Sequence, residues 1–229
     1  MKNTLIVGGT SGLGLELARK LKLTCDVHIT GREMPRRIVG VGVKFHKLYL
    51  GLEDEFLFSE RSLERRVDEV VSEIGQIGTL IYAAGFYQEG KIDELDDGDI
   101  LEMTNVGLVA PAMILQKILR ECSKLDGFIA ITSTSQWTPR LLEPIYTAVK
   151  AGLGMLASSV SLDTRIGKVL VAAPAGMNTN FWRGSRRVGK MLNPKWVAER
   201  ILELYEGDYK YQCARILREP PRVEIVEKR

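Results

Sequence analysis

The segment Leu5-Ile6-Val7-Gly8-Gly9-Thr10-Ser11-Gly12-Leu13-Gly14 decides the fold. A short apolar strand runs into a glycine turn of the form G-x-x-x-G-x-G, and a helix is predicted over 13–21. Gly8 permits a tight turn, Gly12 leaves space for a pyrophosphate, and Gly14 lets the helix approach the sheet. The N-terminus of the predicted helix presents free N–H groups and a positive dipole end, which favour binding of phosphate. The strand–turn–helix context argues against a glycine turn that binds no ligand. We expect dinucleotide contacts at Gly8, Thr10, Ser11, Gly12, Leu13 and Gly14.

Outward from this segment, short apolar runs alternate with longer amphipathic stretches. Strands are predicted at 4–7, 27–30, 41–48, 79–83, 128–132 and 169–173, with a last candidate at 223–226. Helices are predicted at 62–74, about 100–122, about 143–162 and 194–207. Apolar strands separated by helices indicate an α/β, doubly wound parallel sheet covered on both faces, in one domain over 1–229.

The composition narrows the class of protein. With 229 residues, 45% hydrophobic and 27% charged, the chain suits one globular domain, and a net charge of +3 does not by itself favour nucleic acid. The three cysteines form no C-x-x-C pair, so we predict no disulfide framework and no metal site, in a reducing, cytoplasmic setting. We also see no signal peptide and no apolar run of ~18 residues, and therefore expect a soluble protein without membrane partners.

The end of the second strand, Ile29-Thr30-Gly31-Arg32, bears on the choice of cofactor. NAD binders usually carry an acid there, whereas the guanidinium of Arg32 suits the 2′-phosphate of NADP. Arg36 and Arg37 add to this positive field. The alternative is a solvated Arg32 with NAD as cofactor, and the nearby Glu33 keeps it open. We favour NADP over NAD.

A second motif, Tyr146-Thr147-Ala148-Val149-Lys150, places Tyr146 and Lys150 on one face of a helix. We expect the ammonium to lower the pKa of the tyrosine, which then acts as a general acid or base. The spacing alone favours a surface helical pair, so the surrounding residues decide the interpretation. Ser133, just past the fifth strand, supports catalysis because ligands bind at the carboxyl ends of parallel strands. Ser135 is a rival to Ser133.

Together these motifs resemble the short-chain dehydrogenase/reductase family over nearly the whole chain. The catalytic tetrad of the family matches Asn105, Ser133, Tyr146 and Lys150. The resemblance implies that the tyrosine transfers a proton, the lysine also binds the nicotinamide ribose, the serine orients the substrate and the asparagine supports a water relay to the lysine. It implies a Rossmann fold of about seven strands in the order 3-2-1-4-5-6-7. Further cofactor contacts are expected at Ala84, Gly85, Pro174, Met177 and Thr179.

The chain departs from the family pattern at three places. The usual N-N-A-G segment reads Tyr82-Ala83-Ala84-Gly85, and the usual P-G pair reads Pro174-Ala175. An aspartate that often follows the third strand is replaced around Tyr49. These departures affect cofactor contacts rather than the tetrad.

The segment 179–193 is expected to form a short substrate lid. One hypothesis is that the substrate carries a negative group held by Arg140, Arg183, Arg186 or Arg187. We favour the alternative, a solvated loop. Phe86, Tyr87 and Trp182 suit either a substrate surface or ordinary packing. His28 and His46 lack partners at ligand spacing and receive no role.

The helix of Tyr146 is rich in small residues. The resemblance implies that it packs against its mate in a homodimer or homotetramer, and packing on its own sheet is the alternative. We expect an NADP-dependent oxidoreductase acting on a small carbonyl or alcohol. A sensor that binds NAD(P) without turnover is the alternative, and nucleic acid binding, supported only by the basic patch at 183–190, ranks low.

Overall fold

The computed structural model describes residues 3–34, 42–51, 62–182 and 190–229. Within these ranges eight strands form one sheet: β1 (Asn3–Val7), β2 (Val27–Gly31), β3 (Val43–Lys47), β4 (Ile77–Tyr82), β5 (Leu125–Ile131), β6 (Ile166–Pro174), β7 (Tyr211–Arg218) and β8 (Pro221–Lys228). Their order is β3-β2-β1-β4-β5-β6-β7-β8. Each neighbouring pair is parallel except β7 and β8, which are antiparallel. The doubly wound sheet and its order 3-2-1-4-5-6-7 are therefore confirmed, with one strand added.

Six helices cover the sheet in the described ranges: α1 (Gly12–Leu21), α2 (Leu63–Ile74), α3 (Asp97–Thr104), α4 (Ala110–Glu121), α5 (Pro144–Val160) and α6 (Pro194–Glu206). On one face α1 packs against α6, and on the other α2 packs against α4. Each face has its own buried apolar cluster. The strands β1, β2, β4, β5 and β6 are mostly buried on both sides, which explains why their sequences lack polar alternation.

The end of the sheet differs from the prediction. The candidate strand at 223–226 lies inside β8, and the seventh strand is Tyr211–Arg218, which the sequence analysis missed. Gln212 and Arg215 interrupt the apolar run of β7, so its sequence does not resemble the other parallel strands. Gln212 is nevertheless buried, and the guanidinium of Arg215 lies 4.4 Å from the ring centroid of Trp137.

The long helix predicted at about 100–122 is divided. Asn105–Val109 forms one π-helical turn between α3 and α4, in which the Ala110 N–H donates to the carbonyl of Asn105. Pro111 follows at the start of α4 and lacks the N–H that would bond to the carbonyl of Gly107. The missing donor explains why the regular helical pattern changes here.

The stretch 97–121 is long and apolar enough to cross a membrane by length and composition alone. Core helices of globular domains meet the same two criteria. Here Met103, Val106, Ile114 and Ile118 are buried within the domain. The apolar character of the stretch is therefore explained in part by packing on the sheet.

Candidate active site

The glycine turn after β1 has a backbone that only glycine fits easily. Gly8 and Gly12 have φ angles of +81° and +51°. A Cβ on Gly8 would lie 2.7 Å from the Cα of Ala84, and one on Gly14 would overlap the carbonyl oxygen of Gly8. The turn thus brings the start of α1 against the ends of β1 and β4. The first turn of α1 carries no acidic residue, so its positive end is available to an anion.

A cleft of about 550 Å³ opens at the carboxyl ends of the parallel strands. It lies where the strand order reverses between β1 and β4, the usual ligand position in such sheets. Each residue predicted to contact the cofactor lines it: Gly8, Thr10, Ser11, Gly12, Leu13, Gly14, Arg32, Ala84, Gly85, Tyr146, Lys150, Pro174, Met177 and Thr179. Ser133 lines it as well, whereas Asn105 does not.

Arg32 is exposed at the end of β2, at one end of this cleft. The sequence analysis missed its neighbour Glu102, on α3. Burial raises the pKa of Glu102, and the positive charge of Arg32 partly opposes that shift. An acid therefore lies near the cation proposed to bind the 2′-phosphate. Arg36 and Arg37 lie outside the described residues.

Ser133, Tyr146 and Lys150 meet in the buried part of the cleft. The Nζ of Lys150 donates to the Ile131 carbonyl at 3.1 Å and lies 5.7 Å from the centroid of the Tyr146 ring. Ser133 lies close enough to Tyr146 for its hydroxyl to lower the pKa of the tyrosine, as a donor to the phenolate does. Two elements create this grouping, because Ser133 follows β5 and the other two lie on adjacent turns of α5.

The pKa values differ from the expected pattern. Burial lowers the pKa of Lys150 to about 8. Burial also raises the pKa of Tyr146, and the Ser133 hydrogen bond offsets only part of that rise. The prediction that Lys150 brings the tyrosine pKa down is therefore wrong for the net shift in this structure, because desolvation is larger than any such effect. A neutral, proton-carrying Tyr146 is favoured.

Asn105 stands apart from the other members of the predicted tetrad. It is the first residue of the π-helical turn, is half-buried and does not line the cleft. Its backbone carbonyl accepts the Ala110 N–H. The water relay from Asn105 to Lys150 stays a prediction. π-Helical turns are frequent at functional sites, which is consistent with a role for this position.

Ser135, the rival of Ser133, lies directly behind it. The hydroxyl of Ser133 donates to that of Ser135 at 3.2 Å, and the hydroxyl of Ser135 donates to Oε2 of Glu143 at 3.1 Å. Sequence analysis missed Glu143, although it precedes Tyr146 by three positions and so shares a helical face with it. This spacing of three positions from Tyr146 was the one feature of the sequence that could have pointed to Glu143.

The basic residues proposed to hold an anionic substrate receive no added support. The Nε of Arg140 lies 3.6 Å from Oε2 of Glu143, so its charge already has a partner. The other three candidates, Arg183, Arg186 and Arg187, lie outside the described residues, together with most of the predicted lid.

Four aromatic side chains form a wall beside the proposed catalytic group. The ring of Tyr87 lies 5.1 Å from that of Tyr146 and 4.9 Å from that of Trp182, both edge to face. Phe181 lies 6.0 Å from Tyr146 and packs over Gly85, where a Cβ would lie 3.0 Å from Cε2 of the ring. Phe86 also lines the cleft. The wall offers an apolar surface to a ligand that reaches Tyr146.

The chain is similar in sequence to two known proteins. The chain is 25% identical over 174 residues to a 2-dehydro-3-deoxy-D-gluconate 5-dehydrogenase of Formosa agariphila, covering 71% of this chain and 63% of that protein. It is 26% identical over 191 residues to an uncharacterised oxidoreductase of Bacillus subtilis, covering 80% of this chain and 74% of that protein. The matched part thus spans less than two thirds of the first relative.

A solved structure shares the fold. It is a short-chain dehydrogenase from Sphingobium yanoikuyae in complex with NADPH, with a TM-score of 0.77 at 20% identity, covering 90% of this chain and 84% of that one. The sequence model of the family described as short chain dehydrogenase matches residues 2–188. With the glycine turn, the sheet order and the buried group at Tyr146, this match shows that the chain belongs to the short chain dehydrogenase family of oxidoreductases.

Proposed function

We propose that the protein is an NADP-dependent oxidoreductase that interconverts a small carbonyl compound and its alcohol, with Tyr146 as the general acid or base. The observation that carries this proposal is the meeting of Ser133, Tyr146 and Lys150 in one cleft with the glycine turn. That grouping puts a proton-exchanging hydroxyl and a buried amine beside a backbone suited to phosphates.

The residues present fit a nicotinamide dinucleotide. Gly12 carries no side chain at the point where a pyrophosphate would approach the turn. A Cβ at this position would also lie only 3.3 Å from Cγ2 of Thr179. The start of α1 would hold the phosphates, and Lys150 reaches the floor of the cleft. When bound, the dinucleotide supplies the hydride for reduction or accepts it in oxidation.

The chain's own residues account for the proton. In reduction, the O–H bond of Tyr146 breaks as its proton moves to the carbonyl oxygen of the substrate, while hydride forms the new C–H bond. The phenolate that remains is stabilised by the nearby amine of Lys150 in its charged form. Oxidation runs in reverse, with the tyrosine taking the alcohol proton.

Replacing Tyr146 by phenylalanine tests catalysis against binding alone. We expect Y146F to lower NADPH consumption with a panel of carbonyl compounds by about 10²- to 10⁴-fold, with NADPH affinity nearly unchanged. Y205F is the matched control, because Tyr205 lies on α6 with its hydroxyl 3.5 Å from Thr79, away from the cleft. Binding of NADPH by a wild-type protein that consumes none would favour the sensor alternative.

The preference for NADP is tested at the end of β2. We expect R32D to weaken NADPH binding by about tenfold or more, since hydrogen bonds to charged groups contribute about 1.5–3 kcal/mol, and to leave NADH binding unchanged. E102Q should strengthen NADPH binding, because it removes the acid near Arg32. Equal affinities of wild type for NADPH and NADH, unchanged in R32D, would show that the proposed preference is wrong.

A homodimer or homotetramer through α5 stays a proposal. Gly152 packs against Leu108, and Gly154 against Gln136, within the chain. Part of the small-residue pattern thus serves internal packing, whereas Ala151 and Met155 are exposed on the same helix. Light scattering would give the number of copies.

A further inference from the structure

The aromatic wall beside Tyr146 is built from two loops. Phe86 and Tyr87 lie in the loop after β4, and Phe181 and Trp182 lie in the short helical turn after β6. The ring centroid of Tyr87 lies 5.1 Å from that of Tyr146 and 4.9 Å from that of Trp182. For Phe181 the same two distances are 6.0 and 5.2 Å. The wall thus continues from the proposed proton donor, through two rings, to Trp182.

Three of the four wall residues do not belong to the core of the domain. Phe86 packs against the buried apolar cluster on one face of the sheet. Within the described residues, Tyr87, Phe181 and Trp182 belong to neither apolar cluster, and each is only half-buried. Apolar and aromatic side chains that line a concave cleft beside a few polar groups are typical of ligand sites. We therefore interpret these three rings as a binding surface rather than as part of the core.

The wall stands directly beside the polar groups of the cleft. A Cβ on Gly85 would lie 3.0 Å from Cε2 of Phe181 and 3.9 Å from Nζ of Lys150. The ring and the amine therefore approach the same point of the loop after β4. A molecule whose carbonyl oxygen reaches the hydroxyl of Tyr146 would place its neighbouring atoms against Tyr87 or Phe181.

The charged groups around the wall disfavour an anionic substrate. Burial is the main cause of the raised pKa of Tyr87; the charges of Glu143 and Glu89 raise it further, each by more than the charge of Arg140 lowers it. Arg140 is also paired, with Nε 3.6 Å from Oε2 of Glu143. The amine of Lys150 donates to a backbone carbonyl in the floor of the cleft. A carboxylate on the wall would lose water and meet a net negative field from the three charges at Tyr87.

We propose that the substrate is a neutral aromatic aldehyde or ketone, whose ring packs on the aromatic wall, and that Tyr87 and Trp182 determine this specificity. The inference rests on the proposed function of Tyr146 as general acid or base, and it goes further by naming the class of substrate. Aromatic pairs favour offset or edge-to-face contacts with centroids about 4.5–7 Å apart. The rings of the wall already keep such spacings with one another, and a substrate ring would extend the same arrangement.

Two matched pairs of aldehydes test the ring and the charge separately. Benzaldehyde and acetaldehyde differ in the ring, whereas methyl 4-formylbenzoate and 4-formylbenzoate share the ring and differ in charge. The consumption of NADPH gives kcat/KM for each. One methylene group in an apolar pocket changes this quantity by about 10- to 200-fold, so we expect benzaldehyde to exceed acetaldehyde by at least about tenfold. The ester should exceed the acid by roughly tenfold or more, because the acid must bury a charge.

Substitutions in the wall assign the preference to its residues. We expect Y87A and W182A each to lower the ratio of kcat/KM for benzaldehyde to that for acetaldehyde by about tenfold. Y87F keeps the ring and should keep the ratio. Use of a ratio cancels the different reactivities of the two aldehydes and any loss of folded protein. W196A is the matched control, since Trp196 is also half-buried but lies on α6, outside the residues that line the cleft.

The outcomes distinguish this inference from the proposed function. Turnover of acetaldehyde equal to that of benzaldehyde, or of the acid equal to that of the ester, would overturn the neutral aromatic substrate and leave the proposed function intact. A ratio unchanged in both Y87A and W182A, or lowered equally in W196A, would overturn the role of the wall. A wild type that binds NADPH and consumes none with any of the four aldehydes, or with other carbonyl compounds, would contradict the proposed function.

A binding measurement does not depend on turnover. Isothermal titration calorimetry with NADPH-saturated protein compares benzyl alcohol, the product of benzaldehyde reduction, with benzoate. We expect the alcohol to bind at least about tenfold more tightly than benzoate to wild type, and about tenfold more weakly to Y87A than to wild type. Equal affinities for the two ligands, or an unchanged affinity in Y87A, would contradict the wall as the binding surface, even in a protein without turnover.

Discussion

Among the described residues, two hydrogen-bond relays run from buried side chains to a glutamate, and they differ in what lies at the other end. Beneath α2, Nδ1 of His46 lies 3.0 Å from Oε2 of Glu73, and Nε2 of His46 lies 2.8 Å from Nδ1 of His28. A second relay runs from Ser133 to Ser135 and from Ser135 to Glu143, each hydroxyl donating to the next group. The donors of the histidine relay can be assigned in the same way. The carboxylate accepts from His46, and His46 accepts from His28.

The two relays differ in the group that lies at the end opposite the glutamate. The histidine relay stops at Nε2 of His28, a buried atom with no hydrogen-bond partner among the described residues. The serine relay stops at Ser133, which lines the cleft. A directed relay therefore has a chemical effect on a ligand only where its last group reaches one. Beneath α2 the same arrangement links β2, β3 and α2 and should act on stability.

The largest effect, a loss of turnover, is expected at the end of the serine relay that lines the cleft. S133A removes the hydroxyl that lies in the cleft beside Tyr146, so turnover should fall by about 10²- to 10⁴-fold while the free energy of unfolding changes little. Steady-state kinetics and urea unfolding of the same preparation measure both quantities. An S133A protein with wild-type turnover would remove the distinction between the two relays.

The next largest effect is a loss of stability at acid pH, caused by His28 in the histidine relay. Burial, followed by the charges of His46 and Lys44, lowers the pKa of His28 to about 4, from 6.5 in the unfolded chain, whereas Asp26 and Glu73 oppose the shift. Between these pH values the unfolded chain binds more protons. Stability is therefore complete above about pH 6.5 and falls toward pH 4 by up to about 3 kcal/mol.

Urea unfolding across this pH range measures the loss. H28L should remove most of the slope, whatever its effect on stability at neutral pH. A slope that persists in H28L would assign the acid sensitivity to other groups.

A smaller effect should follow from breaking the histidine pair. H46L leaves Nδ1 of His28 buried without its acceptor, which should cost about 1–3 kcal/mol at neutral pH. The double variant H28L/H46L removes both polar groups and should recover part of that loss. Thermal unfolding of the three proteins forms a double-mutant cycle. Strict additivity of the two single changes would show that the pair is not coupled.

The smallest effect is expected at Glu73, and it makes the sharpest contrast with Glu143. The side chain of Glu73 is 69% exposed, compared with 13% for Glu143. E73Q should change the free energy of unfolding by less than about 1 kcal/mol, since exposed ion pairs contribute little. The pH profile of turnover should not move. A shifted profile in E73Q would mean that a charge remote from the cleft affects the proton transfer at Tyr146.

Much of the fold was predictable because its signals are local. The apolar runs and the glycine turn gave β1, β2, β4, β5 and β6 to within a few residues, and Pro194 marked the start of α6. The missed β7 carries Gln212 and Arg215, whose burial depends on contacts with distant residues. The π-helical turn at Asn105 likewise depends on a hydrogen-bond pattern rather than on residue type.

The candidate site was predictable only in part. The members of the glycine turn and the Tyr146–Lys150 pair lie close in sequence, so spacing was enough to select them. Glu143 and Glu102 gain their importance from burial and from facing Ser135 and Arg32. The partnership of His28 with His46 depends on the register of β2 against β3. That register places Thr30 opposite His46, and His28 lies two positions before Thr30 on the same face of β2. Spacing along the chain does not contain that information.

The antiparallel strand β8 has a consequence for how the sheet ends. A free sheet edge offers unpaired N–H and carbonyl groups to strands of other chains. β8 begins with Pro221, which has no N–H, and continues with four charged residues among its eight, PRVEIVEK. Such an edge is a poor template for a further strand. We therefore expect β8 to limit aggregation of the folded chain at this side of the sheet, while β7 remains fully paired inside it.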